Sequence, residues 1–221
     1  MSLRLDWIDY KSAKYAVERW HYSANLPRFK LVKIGVWEDS KFIGVVIYSG
    51  GACNNLVKPY GLTQFEGAEL TRIALKGHKS SVSKIISISV NMVKKLCPKL
   101  RLLVSFADTR QNHVGIIYQA ANWIYNGTGE GKPQYFVNGR WYHQRAIGMT
   151  FGSLDKVKGC SMRGGSTKHR YLMPLDKQMR KQIEPLRKPY PKRMSVESYR
   201  LPVGKGGAIP THTLQGALNE V

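Results

Sequence analysis

At 221 residues, 43% of them hydrophobic, the chain can build a real core, as one α/β domain with an appendage or as two small domains. Lys and Arg number 35 against 14 acids, and a net charge of +21 points to a polyanionic partner, nucleic acid before anionic membrane. No segment approaches the ~20 apolar residues of a membrane span, the first residues carry no apolar run of a secretory signal, and the odd, scattered cysteines Cys53, Cys97 and Cys160 argue against a disulfide framework or a zinc knuckle, so a cytoplasmic setting is expected.

In chain order, residues 3–8 alternate as a short strand. Ser12 can cap a helix in which Ala13, Ala16, Val17 and Trp20 share one face. Residues 31–38 and 42–48 are β-rich runs around a polar turn and predict an antiparallel hairpin. A strand over 69–75 leads through Gly77-His78-Lys79-Ser80-Ser81 into a helix from about 82 to 96, which Cys97-Pro98 stops. Then come an apolar strand over 102–107, a helix over 114–123 and a short strand at 124–127. Residues 135–151 are aromatic and alternating, with Asn138-Gly139 a hairpin turn.

Beyond Asp155 the composition changes. Residues 156–206 hold 14 Lys and Arg against three acids, so +11 of the +21 lies there. Residues 173–183 predict one short helix, and Pro185, Pro189 and Pro191 favour extended chain after it. The stretch from Gly204 onward is expected to be mobile. The division expected is an acyltransferase-like catalytic domain over 1–155 and a DNA-contacting, partly flexible extension over 156–221.

Asp108 ends an apolar strand, where open α/β sheets usually bind ligands, and an acid there is costly to bury unless it is used. His21 either complements the C-terminal dipole of its helix or serves as a general base. Tyr118 is either a core tyrosine with a satisfied hydroxyl or an acid for a leaving group. Arg72, mid-strand between apolar residues, suits a phosphate or carboxylate partner. Ser81, Ser83 and Lys84, opening the helix at 82, could hold phosphate or simply cap it. Aromatic residues interleave with Lys132, Arg140 and Arg145 between 123 and 145, as base stacking and phosphate contact require, although an aromatic β-core would look similar. Lys156, Lys158, Arg163, Lys168 and Arg170 open the basic tail, read as a phosphate-contacting arm. The six histidines show no standard metal-ligand spacing, and no metal is expected.

The element order implies a mixed α/β sheet and is that of the GCN5-related N-acyltransferase-like fold, whose enzymes often hold a donor's diphosphate at the strand-to-helix turn before the central helix. Here that turn lacks the usual Arg/Gln-x-x-Gly-x-Gly/Ala loop. More specifically, the chain resembles the Mom family of phage DNA-modification proteins. The resemblance rests on Trp20-His21-Tyr22-Ser23, on Glu69-Leu70-Thr71-Arg72, on Ser83-Lys84, and above all on Val104-Ser105-Phe106-Ala107-Asp108 followed by the block from His113 to Trp123. It implies an enzyme that converts the N6 amine of adenine in double-stranded DNA, flipped from the duplex, to a carbamoylmethyl form and so shields phage DNA from host restriction. It implies His21, Tyr22, Arg72, Ser83, Asp108 and Tyr118 in or near the site, and acetyl-CoA or a related acyl donor. A glycyl-tRNA donor would instead supply the amide nitrogen of the product. Two other classes fit the composition: an acyltransferase on another amine or RNA, and a non-catalytic DNA-binding protein.

Overall fold

The computed structural model describes residues 2–27, 30–51 and 55–192, with Arg145 described in its backbone alone. The expected contribution of Arg145, and of the basic residues Arg193, Arg200 and Lys205 with the tail beyond Gly204, lies outside what is described. A seven-stranded sheet runs β1 (Leu3–Trp7), β2 (Leu31–Glu38), β3 (Lys41–Ser49), β4 (Gly67–Leu75), β5 (Leu102–Asp108), β10 (Thr167–Pro174), β6 (Ile124–Glu130) from edge to edge. Neighbours are antiparallel except β4 and β5, which run parallel. A second sheet of three strands orders β8 (Arg140–His143), β7 (Gln134–Val137), β9 (Met162–Arg163).

Period-two patterning decides which helix covers which face. In β3, Val46 and Tyr48 face the cluster built on Ile85, Ile86, Val90 and Val93 of α2 (Val82–Leu96), while Val45 and Ile47 face Ala13, Ala16 and Val17 of α1 (Tyr10–Trp20). In β5, Leu103 and Ala107 join the α2 side, and Leu102 and Val104 meet Met179 and Ile183 of α5 (Lys177–Ile183). Helices therefore cover both faces, and the sheet is mixed, as the element order predicts. Asn138 and Gly139 take the two positive φ values, 49° and 77°, of the expected two-residue turn between β7 and β8.

Four expectations change. The cap of α1 is Asp9, whose side chain accepts the Ser12 N–H at 2.9 Å. The helix expected over 114–123 shortens to α3 (Ile116–Ala120). Gly115 precedes it at φ +78°, and a Cβ there would lie 2.3 Å from the Tyr171 ring, so the close approach requires glycine. The aromatic run ends as a strand at His143 and continues as α4 (Gln144–Phe151), with Ile147 fully buried. The largest change concerns the basic extension. Residues 167–174 form β10 between β5 and β6, with Tyr171 and Leu172 fully buried. The helix expected over 173–183 accordingly starts only at Lys177, after an Asp176 cap. The compact unit runs to Pro191, so the boundary expected at 155 falls inside it.

Candidate active site

β4 and β5 are hydrogen-bonded only from Gly67 beside Leu102 to Leu70 beside Ser105. Past that point β4 stays with β3 and β5 stays with β10. The register slips in β4, where Ile47 faces Arg72 but Tyr48 faces Leu70, leaving Thr71 as the extra residue of a bulge. The two strands part there. A buried chain joins Leu70 C=O, Ser105 Oγ and Tyr118 OH, with steps of 2.9 and 2.8 Å, at the point of parting. Tyr118 also lies against Trp123 and Tyr171, with ring centroids 5.4 and 5.2 Å away, and burial pushes its phenol up to about 12. Its hydroxyl lies buried inside the wall, bonded to Ser105. Of the two roles left open by sequence, the geometry favours holding the split over donating to a leaving group.

Asp108 ends β5 with its side chain 17% exposed. The Arg110 N–H donates to Oδ1 at 3.0 Å and the Ser166 hydroxyl to Oδ2 at 3.2 Å, with Lys168 Nζ 4.0 Å away. Asp108 therefore caps the short turn after β5 and still carries spare acceptor capacity. Its charge reaches Tyr22. Burial first, then Asp108, raises the Tyr22 phenol, while Arg72 opposes them. The Tyr22 ring is 59% exposed between two imidazoles, stacked on His21 at 4.3 Å and meeting His113 edge-on at 6.0 Å.

His21 closes α1, its N–H bonded to the Val17 carbonyl. Its Nδ1 accepts the Ser23 backbone N–H at 3.1 Å, with Ser23 Oγ 2.8 Å away. A backbone N–H can only donate, so Nδ1 is the unprotonated nitrogen and the neutral ring carries its proton on Nε2. Burial, then the charges of Arg72 and His113, drives the imidazole down to about 4. At neutral pH His21 presents an N–H, not a base.

Arg72 sits beside this group with two donors already used. Nε donates to the Asn25 carbonyl at 3.1 Å and Nη1 to the Thr71 carbonyl at 2.7 Å. It ties the 21–27 loop to β4, and three of its five N–H donors stay beyond these two bonds. Burial lowers its guanidinium, with Tyr22 and Glu69 acting against that. Ser81 is the N-cap of α2, with the Lys84 N–H on its oxygen at 3.4 Å and the Ser83 hydroxyl 3.3 Å away. Ser81 thus does the capping that was the alternative to phosphate binding, Ser83 bonds to its hydroxyl, and Lys84 is exposed.

The turn before α2 also tests whether a donor's diphosphate fits. The Glu38 carboxylate, 6% exposed, accepts the Ser80 N–H at 2.6 Å and the Lys79 N–H at 2.8 Å. The Lys79 N–H and Ser80 hold this carboxyl below the usual range. An internal anion already takes these two N–H groups of the turn, so a diphosphate does not fit on them.

The expected DNA contacts divide. Lys132 and Arg140 are exposed beside and at the tip of the β7–β8 hairpin, and Lys156 and Lys158 are exposed, the latter paired with Asp155 at 2.6 Å. Arg163 instead stacks over Trp141 at 4.1 Å and donates to Gln134 Oε1 at 2.8 Å. Arg170 turns to the Tyr60 hydroxyl at 3.4 Å, and Lys168 flanks Asp108. These last three make contacts within the protein, and Arg163 and Lys168 stay exposed. Arg110 fastens the small sheet to the same loop, donating to Gln134 Oε1 at 2.9 Å and to the Gly164 carbonyl.

The sequence places His113 in its most specific motif, without its position beside Tyr22, and three further neighbours of the site were missed. Glu69, whose charge acts on Arg72 and Tyr118, could have been flagged as an acid two residues before the bulge. Ser105 was visible as a lone polar residue in an apolar strand. Ser166, 58 residues from Asp108, left no local signal. Among the described residues no group of three His, Cys, Asp or Glu could hold a metal, and no helix is long and apolar enough to cross a membrane.

The profile of the Mom protein family matches residues 2–192. Methylcarbamoylase mom of Escherichia phage Mu is 27% identical over 205 residues, which cover 86% of this chain and 84% of that protein. Among solved structures, aminoglycoside acetyltransferase AAC(6')-Ib in complex with coenzyme A and kanamycin has a TM-score of 0.50 at 10% identity, covering 83% of this chain and 99% of that one. Spermidine/spermine N-acetyltransferase SpeG from Vibrio cholerae has a TM-score of 0.48 at 11% identity, covering 81% and 96%. The fold is that of the N-acetyltransferases.

Proposed function

The chain belongs to the Mom protein family, and on that premise we propose that it is an enzyme of phage DNA modification that converts the N6 amine of adenine to the carbamoylmethyl form. The name of its phage Mu relative, a methylcarbamoylase, supports transfer of a small amide-bearing group. The N-acetyltransferase fold supports transfer from an activated acyl donor to an amine, and the +21 charge supports a nucleic-acid acceptor over a cationic amine. The modification would protect phage DNA from restriction in the host cytoplasm.

The observation that carries this reading is the exposed Tyr22 ring between His21 and His113, within electrostatic reach of Asp108, at the mouth of the split between β4 and β5. A flipped purine stacks on such a surface, which offsets part of the cost of leaving the duplex. Its conjugated amine is a poor nucleophile and needs a base, and Asp108 has the spare acceptor capacity to take its proton. The His21 Nε2–H faces the role of donor to the acyl oxygen, where negative charge develops. Tyr118 positions the wall through Ser105. The exposed Lys132, Arg140, Lys156 and Lys158 grip the phosphate backbone.

Coenzyme A is held by the aminoglycoside acetyltransferase neighbour, but its diphosphate does not fit on the two N–H groups that Glu38 takes in the turn before α2, and none of these roles depends on it. An acetyl group would not supply the amide nitrogen of the product; a glycyl group from an aminoacyl-tRNA carries it, N6 displacing the tRNA hydroxyl, and the N6-glycyl adduct is an isomer of the carbamoylmethyl form, reached by rearrangement. Nucleosides from DNA of cells expressing the chain are the direct test. Mass analysis is expected to show a deoxyadenosine heavier by one carbamoylmethyl group, and unaltered deoxyadenosine from cells containing folded protein would refute the assignment.

A further inference from the structure

Glu38 is the last residue of β2, opposite Lys41 across a two-residue turn in which Asp39 and Ser40 both have positive φ. That hairpin sets its side chain against the turn leading from β4 into α2. There its two oxygens take two successive backbone N–H groups, those of Lys79 and Ser80. The Lys76 N–H donates to the Ile43 carbonyl at 2.9 Å, and the Lys84 and Ile85 N–H groups to the Ser81 carbonyl at 3.1 and 3.2 Å. The start of a helix favours an anion because its N–H groups point outward and its dipole is positive there. Glu38 places such an anion immediately ahead of the Ser81 cap of α2, from within the chain. A diphosphate arriving here would meet a buried carboxylate of like charge and would have to displace it from both donors.

We infer that Glu38 is a permanent internal anion in the place where N-acetyltransferase-fold enzymes can seat a donor's diphosphate, so that this chain recognises its donor through the acyl end rather than through a diphosphate at this turn. This rests on the transferase reading above and narrows its donor.

The test follows the backbone amide resonances of Lys79 and Ser80 in isotope-labelled full-length protein while inorganic pyrophosphate, and separately coenzyme A, is added. In the native chain both resonances are expected to stay in place, whether or not coenzyme A binds elsewhere. A saturable shift of either resonance with either compound overturns the inference. In Glu38→Ala, pyrophosphate is expected to move both resonances and to bind at least tenfold more tightly. A folded Glu38→Ala that gains no affinity also overturns the inference, and if that variant does not fold, the native titration decides alone. Nucleoside masses from the expressing cells report separately on function. A heavier deoxyadenosine with shifting native amides rejects the donor inference and leaves the function standing, while unaltered deoxyadenosine with unmoved amides does the reverse.

Discussion

His21 makes the sharpest residue-scale prediction, because its two ring nitrogens are told apart by the Ser23 N–H on Nδ1. Free histidine takes up a proton near 6.5, and folded His21 only near 4. Between those values the unfolded chain binds more protons, so His21 contributes stability above 6.5 that is lost as pH falls toward 4. Glu38, whose carboxyl is also lowered, adds a loss in the same direction as it is protonated. Melting temperatures measured from pH 7 to pH 4 should fall on the acid side, and His21→Ala should make that fall shallower. An unchanged slope in the variant would place the titration elsewhere. Tyr118→Phe removes the hydroxyl bonded to Ser105, and is expected to cost about 0.5–1.5 kcal/mol in denaturant unfolding. Modification should persist in that variant at lowered level, and its complete loss without loss of folding would restore Tyr118 as the acid.

At the scale of elements, the prediction concerns β10. Leu172 is fully buried against the α5 side of the sheet, so Leu172→Ala should destabilise the fold by about 2–5 kcal/mol, read as a shift in urea midpoint. A chain cut after Asp155 loses a strand that pairs on both sides and should give no cooperative unfolding transition. A native-like transition in it would contradict the central place of β10. This strand also shows why part of the fold was illegible. Lys168 and Arg170 put charge into Thr167–Pro174, so composition pointed to a phosphate arm while the apolar signal shrank to Tyr171-Leu172-Met173. Only pairing with β5 and β6, distant in sequence, makes it a strand. By contrast α2, the β2–β3 hairpin and β5 carry their own periodicity and boundaries, and were readable at once. The switch from β8 to α4 was hidden because aromatic and alternating residues continue past His143. The site was legible in the same uneven way. Asp108, His21 and Tyr22 fell in local motifs, while Ser166 and Glu38 reach their partners through tertiary structure alone.

At the scale of the whole molecule, charge sets partner and salt dependence. DNA binding should weaken linearly in the logarithm of salt concentration, with a slope proportional to the phosphates neutralised. Lys132→Ala with Arg140→Ala should make that slope shallower by about 2 while sparing the site. Affinity measured by fluorescence anisotropy across a salt series reads this, and an unchanged slope would move the DNA to another face. These contacts deliver an adenine, but the claim on which the account turns is that Asp108 acts on it. The most direct measurement compares nucleosides from cells expressing the native chain and Asp108→Asn, an isostere that retains an oxygen for the Arg110 N–H but accepts no proton. Carbamoylmethyl-deoxyadenosine should fall by at least about a hundredfold in the variant, with DNA affinity unchanged. Modification at the native level in Asp108→Asn would contradict the account.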